Sequence, residues 1–431
     1  MDWKKEYADK IVNTPEEAVK IVQSGDRVIF QQGHSENKAL LAALVARKEE
    51  LHDVWIHGHN HWGKADYCKP GTEEYFKSSS NFCSVDNRTD IHEGRCAFLP
   101  MFYYQTDNFY ATEFTPDVFF LMLSEPDENG ICSFGLSADY SVACARSAKK
   151  IIAQINPSMP RTYGTSFDLK DAAVILEWDE PMMEIPMGVP GPLEQKIGEN
   201  IAPLIHDGDC LQLGIGGIPN AVLACLKDKK DLGIHSELFS DGVVDLYNAG
   251  VITNKKKQNN TGKFVANFLL GSQKLFDFVD NNPDVLVLPV GVTNDPYEIA
   301  KNDNVVSINS CLQVDLLGQV NAETINGKEY GGIGGQVDFV RGAQLSKGGR
   351  SIITVKSTAK KDTISNIVCS FSPNTVVTTS RYDVQYICSE YGVVNLHGLM
   401  ANERAEALIS IAHPKFRESL RAEAIAAGIL H

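Results

Sequence analysis

The chain lacks the features that would put it in a membrane, on a nucleic acid or outside the cell. No apolar run is long enough to span a bilayer, and the opening MDWKKEYADK has no signal-peptide core, so a cytoplasmic protein is expected. Basic residues are in deficit: 40 Lys and Arg stand against 55 Asp and Glu, a formal net charge of −15. That balance argues against phosphate backbones and anionic membrane surfaces as partners. The ten cysteines are scattered without a CxxC pair. In a chain this long they read as reduced, mostly buried thiols rather than a disulfide frame. Three familiar catalytic signatures are also missing. The dinucleotide fingerprint fails because Pro219 stands where its third glycine belongs, no GKS or GKT marks a P-loop, and no nucleophile elbow or Ser-His-Asp order stands out.

What is present is an α/β pattern. With 431 residues the chain can bury a large core, and two domains are expected. The organising stretch runs from Gly208 to Gly242, GDCLQLGIGGIPNAVLACLKDKKDLGIHSELFSDG. It reads as a strand from Asp209 to Leu213, a turn through Gly214, Gly216 and Gly217, a helix with Pro219 in its first turn, and a second short strand ending at Glu237. In open α/β sheets the carboxyl edge of the strands is where ligands bind, and this pattern sets a carboxylate there beside free backbone N–H groups. A lone glutamate is most often a cap or an ion-pair partner; the position of Glu237 after a strand and beside glycine clusters favours function.

The same order appears earlier in the chain. A helix over 16–24 leads to Gly25-Asp26, a strand from Arg27 to Gln31, Gly33, a helix bearing Leu40, Leu41 and Leu44, and a strand from Val54 to His57. The repeat implies two related open α/β domains with mainly parallel sheets, 1–190 and 191–431, with the active site in the cleft between them. Prolines gather over 157–195, including MEIPMGVPGP, and mark the linker. DVFFLMLS (117–124) reads as a buried parallel-type strand. SFGLSADYSVACARSAKKIIAQIN reads as a helix capped by Ser137. Val285 to Pro289 reads as a strand of the second half, and 403–424 as helix broken near Pro414.

His57, His59 and His61 alternate and would share one face of a strand, yet no carboxylate or cysteine at ligand spacing completes a metal site. They are read as solvent-facing or cleft-lining, with no metal. Lys255 to Lys257 reads as a solvated loop able to meet phosphate. GKEYGGIGGQVDFVRGA carries glycines at 331, 332, 334 and 335, either a second close approach of backbone to ligand or a hairpin with glycine-rich turns.

Several stretches resemble the acetyl-CoA hydrolase/transferase family of class I CoA-transferases. They are LQLGIGGIP, LGIHSELFSDGVVDLYNAG, INSCLQVD, GGIGGQVDFVRGA, VVTTSRYDVQYICSEYG and ERAEALISIAHPKFR. The resemblance spans nearly the whole chain and is strongest after residue 200. It implies a ping-pong exchange in which Glu237 attacks an acyl-CoA thioester and then carries CoA as a glutamyl thioester. A glutamate of ordinary pKa, about 4.3, is ionised at neutral pH, so no general base is required. The resemblance further implies oxyanion donors at Gly216, Gly217 and Gly334, with Asn294 near the nucleophile. The CoA path would run along Gly214, Ile215, Gly216, Gly217, Ile218, Leu312 and Gly334, with Lys361, or Lys360 beside it, meeting CoA phosphate. Implied substrates are CoA thioesters of short acids, 4-hydroxybutyrate or butyrate exchanging with acetyl-CoA and acetate, with no permanently bound cofactor and a homo-oligomeric assembly. Three stretches depart from the family pattern: Ser35-Glu36-Asn37, Glu125-Pro126-Asp127 and Asn366.

Overall fold

The computed structural model describes residues 2–185 and 188–431. Met1, Pro186 and Met187 lie outside the described residues, the last two within the expected linker. The chain forms two compact units. The first takes Met1–Ile185 and Val265–Thr293, the second Pro186–Phe264 and Asn294–His431. The strand at Val285–Val287 therefore belongs to the first unit, not to the second half.

The first unit is built on eight parallel strands. In spatial order they are Ile11–Val12, Val174–Glu177, Lys150–Ile155, Val118–Leu123, Arg27–Phe30, Val54–Gly58, Phe76–Ser80 and Ala97–Phe98. Val118–Leu123 sits mid-sheet with all six residues buried, the signature of a strand covered on both faces. The stretch after Ser137 differs from its reading. The helix is only Ser141–Ser147, and KKIIAQI turns straight into the strand Lys150–Ile155. Its five residues Ile151–Ile155 are buried beside Val118–Leu123, so continuous apolarity rather than helical periodicity governs. Ser137 instead donates to Asp139. Over 16–24 the helix is likewise short: Pro15–Ala18, then a 3₁₀ turn Val19–Ile21.

The second unit carries a mixed sheet. Cys210–Leu213, Val305–Ser310, Arg350–Thr354 and Tyr386–Ser389 are parallel neighbours, with Gly392–Asn395 antiparallel at one side. On its other flank Cys210–Leu213 pairs with Gly233–Ile234 in parallel and, at Leu213 opposite Leu238, with the antiparallel Leu238–Phe239. Helix Pro192–Ile201 packs on helix Gly217–Ala224 at Gly198, where a Cβ would lie 2.8 Å from the backbone of Ala221. The terminal helices Ala401–Ser410 and Pro414–Ala426 meet at Pro414 as expected. They close a core with Val340, Ile353 and Ile387 through Leu408 and Leu420. Both units thus repeat strand, glycine turn, helix and strand, the relation read from the sequence.

Candidate functional site

Glu237 occupies a bend between the short strands Gly233–Ile234 and Leu238–Phe239 and is half-buried. The bend exists because the chain reverses here. Gly233–Ile234 runs parallel to Cys210–Leu213, whereas Leu238 lies antiparallel to Leu213 four residues later. Ser236 fixes the reversal, donating to Leu213 O at 3.1 Å and accepting from Leu213 N–H at 3.3 Å.

Three residues distant in sequence converge on the carboxylate. Asn294, fully buried just after the helical turn Val290–Thr293, donates from Nδ2 to Glu237 Oε2 at 3.0 Å. The same amide lies 3.4 Å from Oδ2 of Asp338. Asp338 is the third residue of helix Gln336–Leu345, whose N-cap is Gly335. A Cβ on Gly335 would overlap both Glu237 Oε2 and Asn294 Nδ2, so a glycine is needed there for the carboxylate to reach the helix start. Gly334, at φ +49°, would bring a Cβ to 3.8 Å from Glu237 Oε1. The carboxylate therefore sits at the N-terminal end of a ten-residue helix, where the backbone dipole favours negative charge.

The first glycine turn lies next along the sheet. Gly214 follows Leu213 directly, and Gly216 takes φ +111° as the N-cap of helix Gly217–Ala224. That conformation, not lack of space, demands glycine, since nothing lies within 4 Å of a Cβ there. Gly217 approaches Glu194, which pairs with Lys356 at 2.6 Å. Ile215 is exposed at the tip of the turn.

Beyond the turn lies a cavity of about 400 Å³, lined by Ile218, Leu312, Ile325, Lys356, Lys360 and Asn366 among others. Ile218 and Leu312, two of the residues expected on the CoA path, line this cavity, and Lys360 rather than Lys361 faces it. Lys360, Lys361 and Asp362 all hold positive φ at the tip of the hairpin Thr358–Ala359/Ile364–Ser365. The stretch before Gly331 does contain a hairpin, Thr324–Ile325 against Lys328–Glu329, and the glycines after it bring Gly335 close to Glu237.

Two readings are corrected. The three histidines are buried, which removes the solvent-facing alternative of their reading, and only His57 lies on the strand. His57 bonds Ser79 Oγ, Asn81 Oδ1 and Tyr110 OH at 2.7, 3.0 and 2.6 Å. His59 stacks on Tyr103, and His61 lies 3.0 Å from Glu36 Oε1. Burial pushes His57 down to about 4 and His59 down to about 3. Glu36 is also buried, accepting the N–H groups of Trp62 and Gly63. Among the described residues no cluster of ligating side chains could hold a metal. The lysine run is the second correction: Lys255 and Lys256 are exposed, whereas Lys257 is buried. Gly335 and Asp338 were missed, although an acidic residue three positions past a glycine that opens a helix is a visible N-terminal signature.

The sequence pattern of the acetyl-CoA hydrolase/transferase N-terminal domain matches residues 1–180, and that of its C-terminal domain residues 271–424. The chain is 48% identical to a 4-hydroxybutyrate coenzyme A transferase of Clostridium kluyveri, over 98% of this chain and 99% of that one. It is 42% identical to a succinyl-CoA:cyclohexane-1-carboxylate CoA transferase of Geobacter metallireducens, over 97% and 95%. The crystal structure of RipA from Yersinia pestis matches with a TM-score of 0.94 at 38% identity, each chain covered completely. The chain belongs to the acetyl-CoA hydrolase/transferase family. It is accordingly an enzyme of the CoA-transferase class, a family that uses CoA thioesters as substrates. Among the described residues no helix is long and apolar enough to cross a membrane.

Proposed function

We propose that the protein moves CoA between a short-chain acyl-CoA and a carboxylic acid by a ping-pong mechanism centred on Glu237. The Glu237 carboxylate attacks the thioester carbonyl, expelling CoA thiolate and forming an acyl-glutamyl anhydride. The thiolate then attacks the glutamyl carbonyl, leaving a glutamyl-CoA thioester and releasing the first acid as its carboxylate. A second carboxylate reverses both steps, so one thioester replaces another and no ATP is consumed.

The observation that carries this reading is the meeting of Glu237 with Asn294 and Gly335 at a helix N-terminus. A carboxylate is a weak nucleophile, and its attack builds charge on two successive tetrahedral oxygens. Preorganised donors meet that need, each lowering the barrier by roughly 3–4 kcal/mol. We assign the role to Gly334, Asn294 and the turn Gly216-Gly217. The cavity beside Ile218 and Leu312, with Lys356 and Lys360 at its wall, supports a CoA path along Gly214–Ile218. Binding energy from the long CoA body can then be spent on strain at the reacting carbonyl.

For the acid, 4-hydroxybutyrate is the first reading, carried by the name of the Clostridium kluyveri relative. Butyrate with acetate is the alternative, since a pocket separates acids differing by one small group by only about a hundredfold. The family resemblance also favours a homo-oligomer. The deciding experiment is intact mass after mixing the protein with butyryl-CoA. An adduct of CoA less water, lost in Glu237→Ala, is expected; unmodified protein during turnover would overturn the mechanism. Adding acetate should then yield acetyl-CoA, whereas free thiol alone would make the enzyme a hydrolase.

A further inference from the structure

The buried lysine of the run Lys255–Lys257 has no place in the chemistry above, yet it touches the segment that presents Glu237. Lys257 is only 4% exposed. Its Nζ donates to the carbonyl of Ile234 at 2.8 Å and to that of Lys263 at 2.6 Å. Among the described residues no carboxylate lies within ion-pair distance of it; backbone carbonyls alone hold the charge. Burial pushes the ammonium down to about 8, so near neutral pH it is still mostly a cation. A buried cation kept without a counter-charge is costly, and such groups persist where a specific arrangement needs them.

The surroundings show what is arranged. A Cβ on Gly233 would come 2.7 Å from Lys257 Cγ, so the strand opens a glycine-wide slot for the lysine stem. Asn254, at φ +57° and buried, accepts the N–H of Ile234 at 2.8 Å through Oδ1. Both main-chain groups of Ile234 are therefore held by side chains of one loop, 253–263. The same loop is pinned from below by Asn302, whose Oδ1 accepts the N–H groups of Gln258 and Asn259 at 3.0 and 2.9 Å. Glu237 follows Ile234 by three residues, across the reversal at Ser236.

We propose that Lys257 is a positioning residue for Glu237: by clamping the Ile234 carbonyl to the loop 253–263, its ammonium fixes the backbone from which the carboxylate meets Asn294 and Gly335. The assignment rests on the reading of Glu237 as nucleophile. Rigid placement is what this chemistry needs, because a displacement near 1 Å costs about a hundredfold in rate.

The test compares Lys257→Met, which keeps the stem and removes the donors, with wild type, Lys256→Met and Glu237→Ala. Each is assayed for transfer with butyryl-CoA and acetate, for the amount of CoA adduct at saturation, and for thermal midpoint. For Lys257→Met we expect kcat per adduct-competent site to fall at least about tenfold with little change in KM for butyryl-CoA. Lys256→Met should match wild type. A purely structural lysine would instead lower the midpoint and the number of competent sites while each remaining site turns over normally, and that result overturns the proposal. Should the methionine variant not fold, Asn254→Ala removes the other tie to Ile234 and carries the same expectation. Full activity in Glu237→Ala would overturn the nucleophile assignment itself; normal kcat in Lys257→Met beside an inactive Glu237→Ala would sink the clamp alone.

Discussion

The Asn294 side-chain amide donates to Glu237 Oε2 at 3.0 Å while facing Asp338 Oδ2 at 3.4 Å, so one NH₂ group stands between two carboxylates. Asn294 is fully buried and Asp338 almost so, whereas Glu237 remains half-buried. The amide screens the two acids from each other and orients the one that reaches the surface of the site.

Removing that amide should cost rate more than binding. In Asn294→Ala, kcat is expected to fall roughly 10²- to 10³-fold, the usual loss for one preorganised donor, with KM for acyl-CoA changing little. Asn294→Asp is the sharper variant. It sets a third carboxylate against Glu237 and Asp338, and like charges disfavour ionisation, so the pKa of the nucleophile rises. The acid limb of the kcat/KM profile should move to higher pH than in wild type; an unmoved limb would show that Asn294 does not face the reacting group in solution.

Gly335 and Gly334 separate two meanings of a glycine pair within a single turn. Gly335→Ala drives a methyl into Glu237 and Asn294, whereas Gly334→Ala finds space and meets only the strain of φ +49°. Gly335→Ala is expected to abolish adduct formation. Gly334→Ala should lose stability by about 1 kcal/mol and retain measurable turnover. Urea midpoints together with adduct mass distinguish the two.

The cavity near Leu312 makes a separate claim about affinity. Lys360 is exposed at its wall, and Lys356 is partly occupied by Glu194 at 2.6 Å. Lys360→Ala should raise KM for butyryl-CoA several-fold, leave KM for acetate unchanged, and flatten the dependence of KM on salt, because an exposed charge acts through screened attraction. An effect on kcat alone would remove Lys360 from the CoA path.

Local chemistry makes part of this site legible in the sequence. A strand ending in glycines with Pro219 just inside the next helix has few other solutions, although the strand read as ending at Glu237 stops at Ile234 and the carboxylate stands in the bend that follows. What escaped depends on distance along the chain. Gly335 reaches Glu237 from 98 positions away, and its helix-start pattern does not name that partner, whereas Asn294, 57 positions away, is legible only through the family resemblance. Lys257 looked solvated because two identical neighbours are, yet carbonyls of Ile234 and Lys263 decide its burial. KKIIAQI escaped for a different reason. An apolar run of that length fits helix or strand, and only the neighbouring Val118–Leu123 resolves it.

The buried histidines of the first unit give a prediction in pH that is independent of catalysis. Burial holds His57 near 4, His34 near 4 and His59 near 3, against about 6.5 in an unfolded chain. Between those values the unfolded chain binds protons that the folded unit refuses, so stability is complete above about pH 6.5 and drains away as pH falls toward 4. For His57 alone the loss is on the order of 3 kcal/mol, opposed by no carboxylate among its bonded partners Ser79, Asn81 and Tyr110. The urea midpoint of the intact protein should therefore fall steeply between about pH 7 and about pH 5, with backbone amides of Arg27–Phe30 and Val54–Gly58 losing hydrogen-exchange protection in the same interval. His57→Gln replaces the titrating ring with a neutral amide. It is expected to be less stable at neutral pH, since its bonds to Ser79, Asn81 and Tyr110 cannot all be kept, yet to show a shallower acid slope. Equal slopes in variant and wild type would mean that acid unfolding is driven by groups other than these histidines.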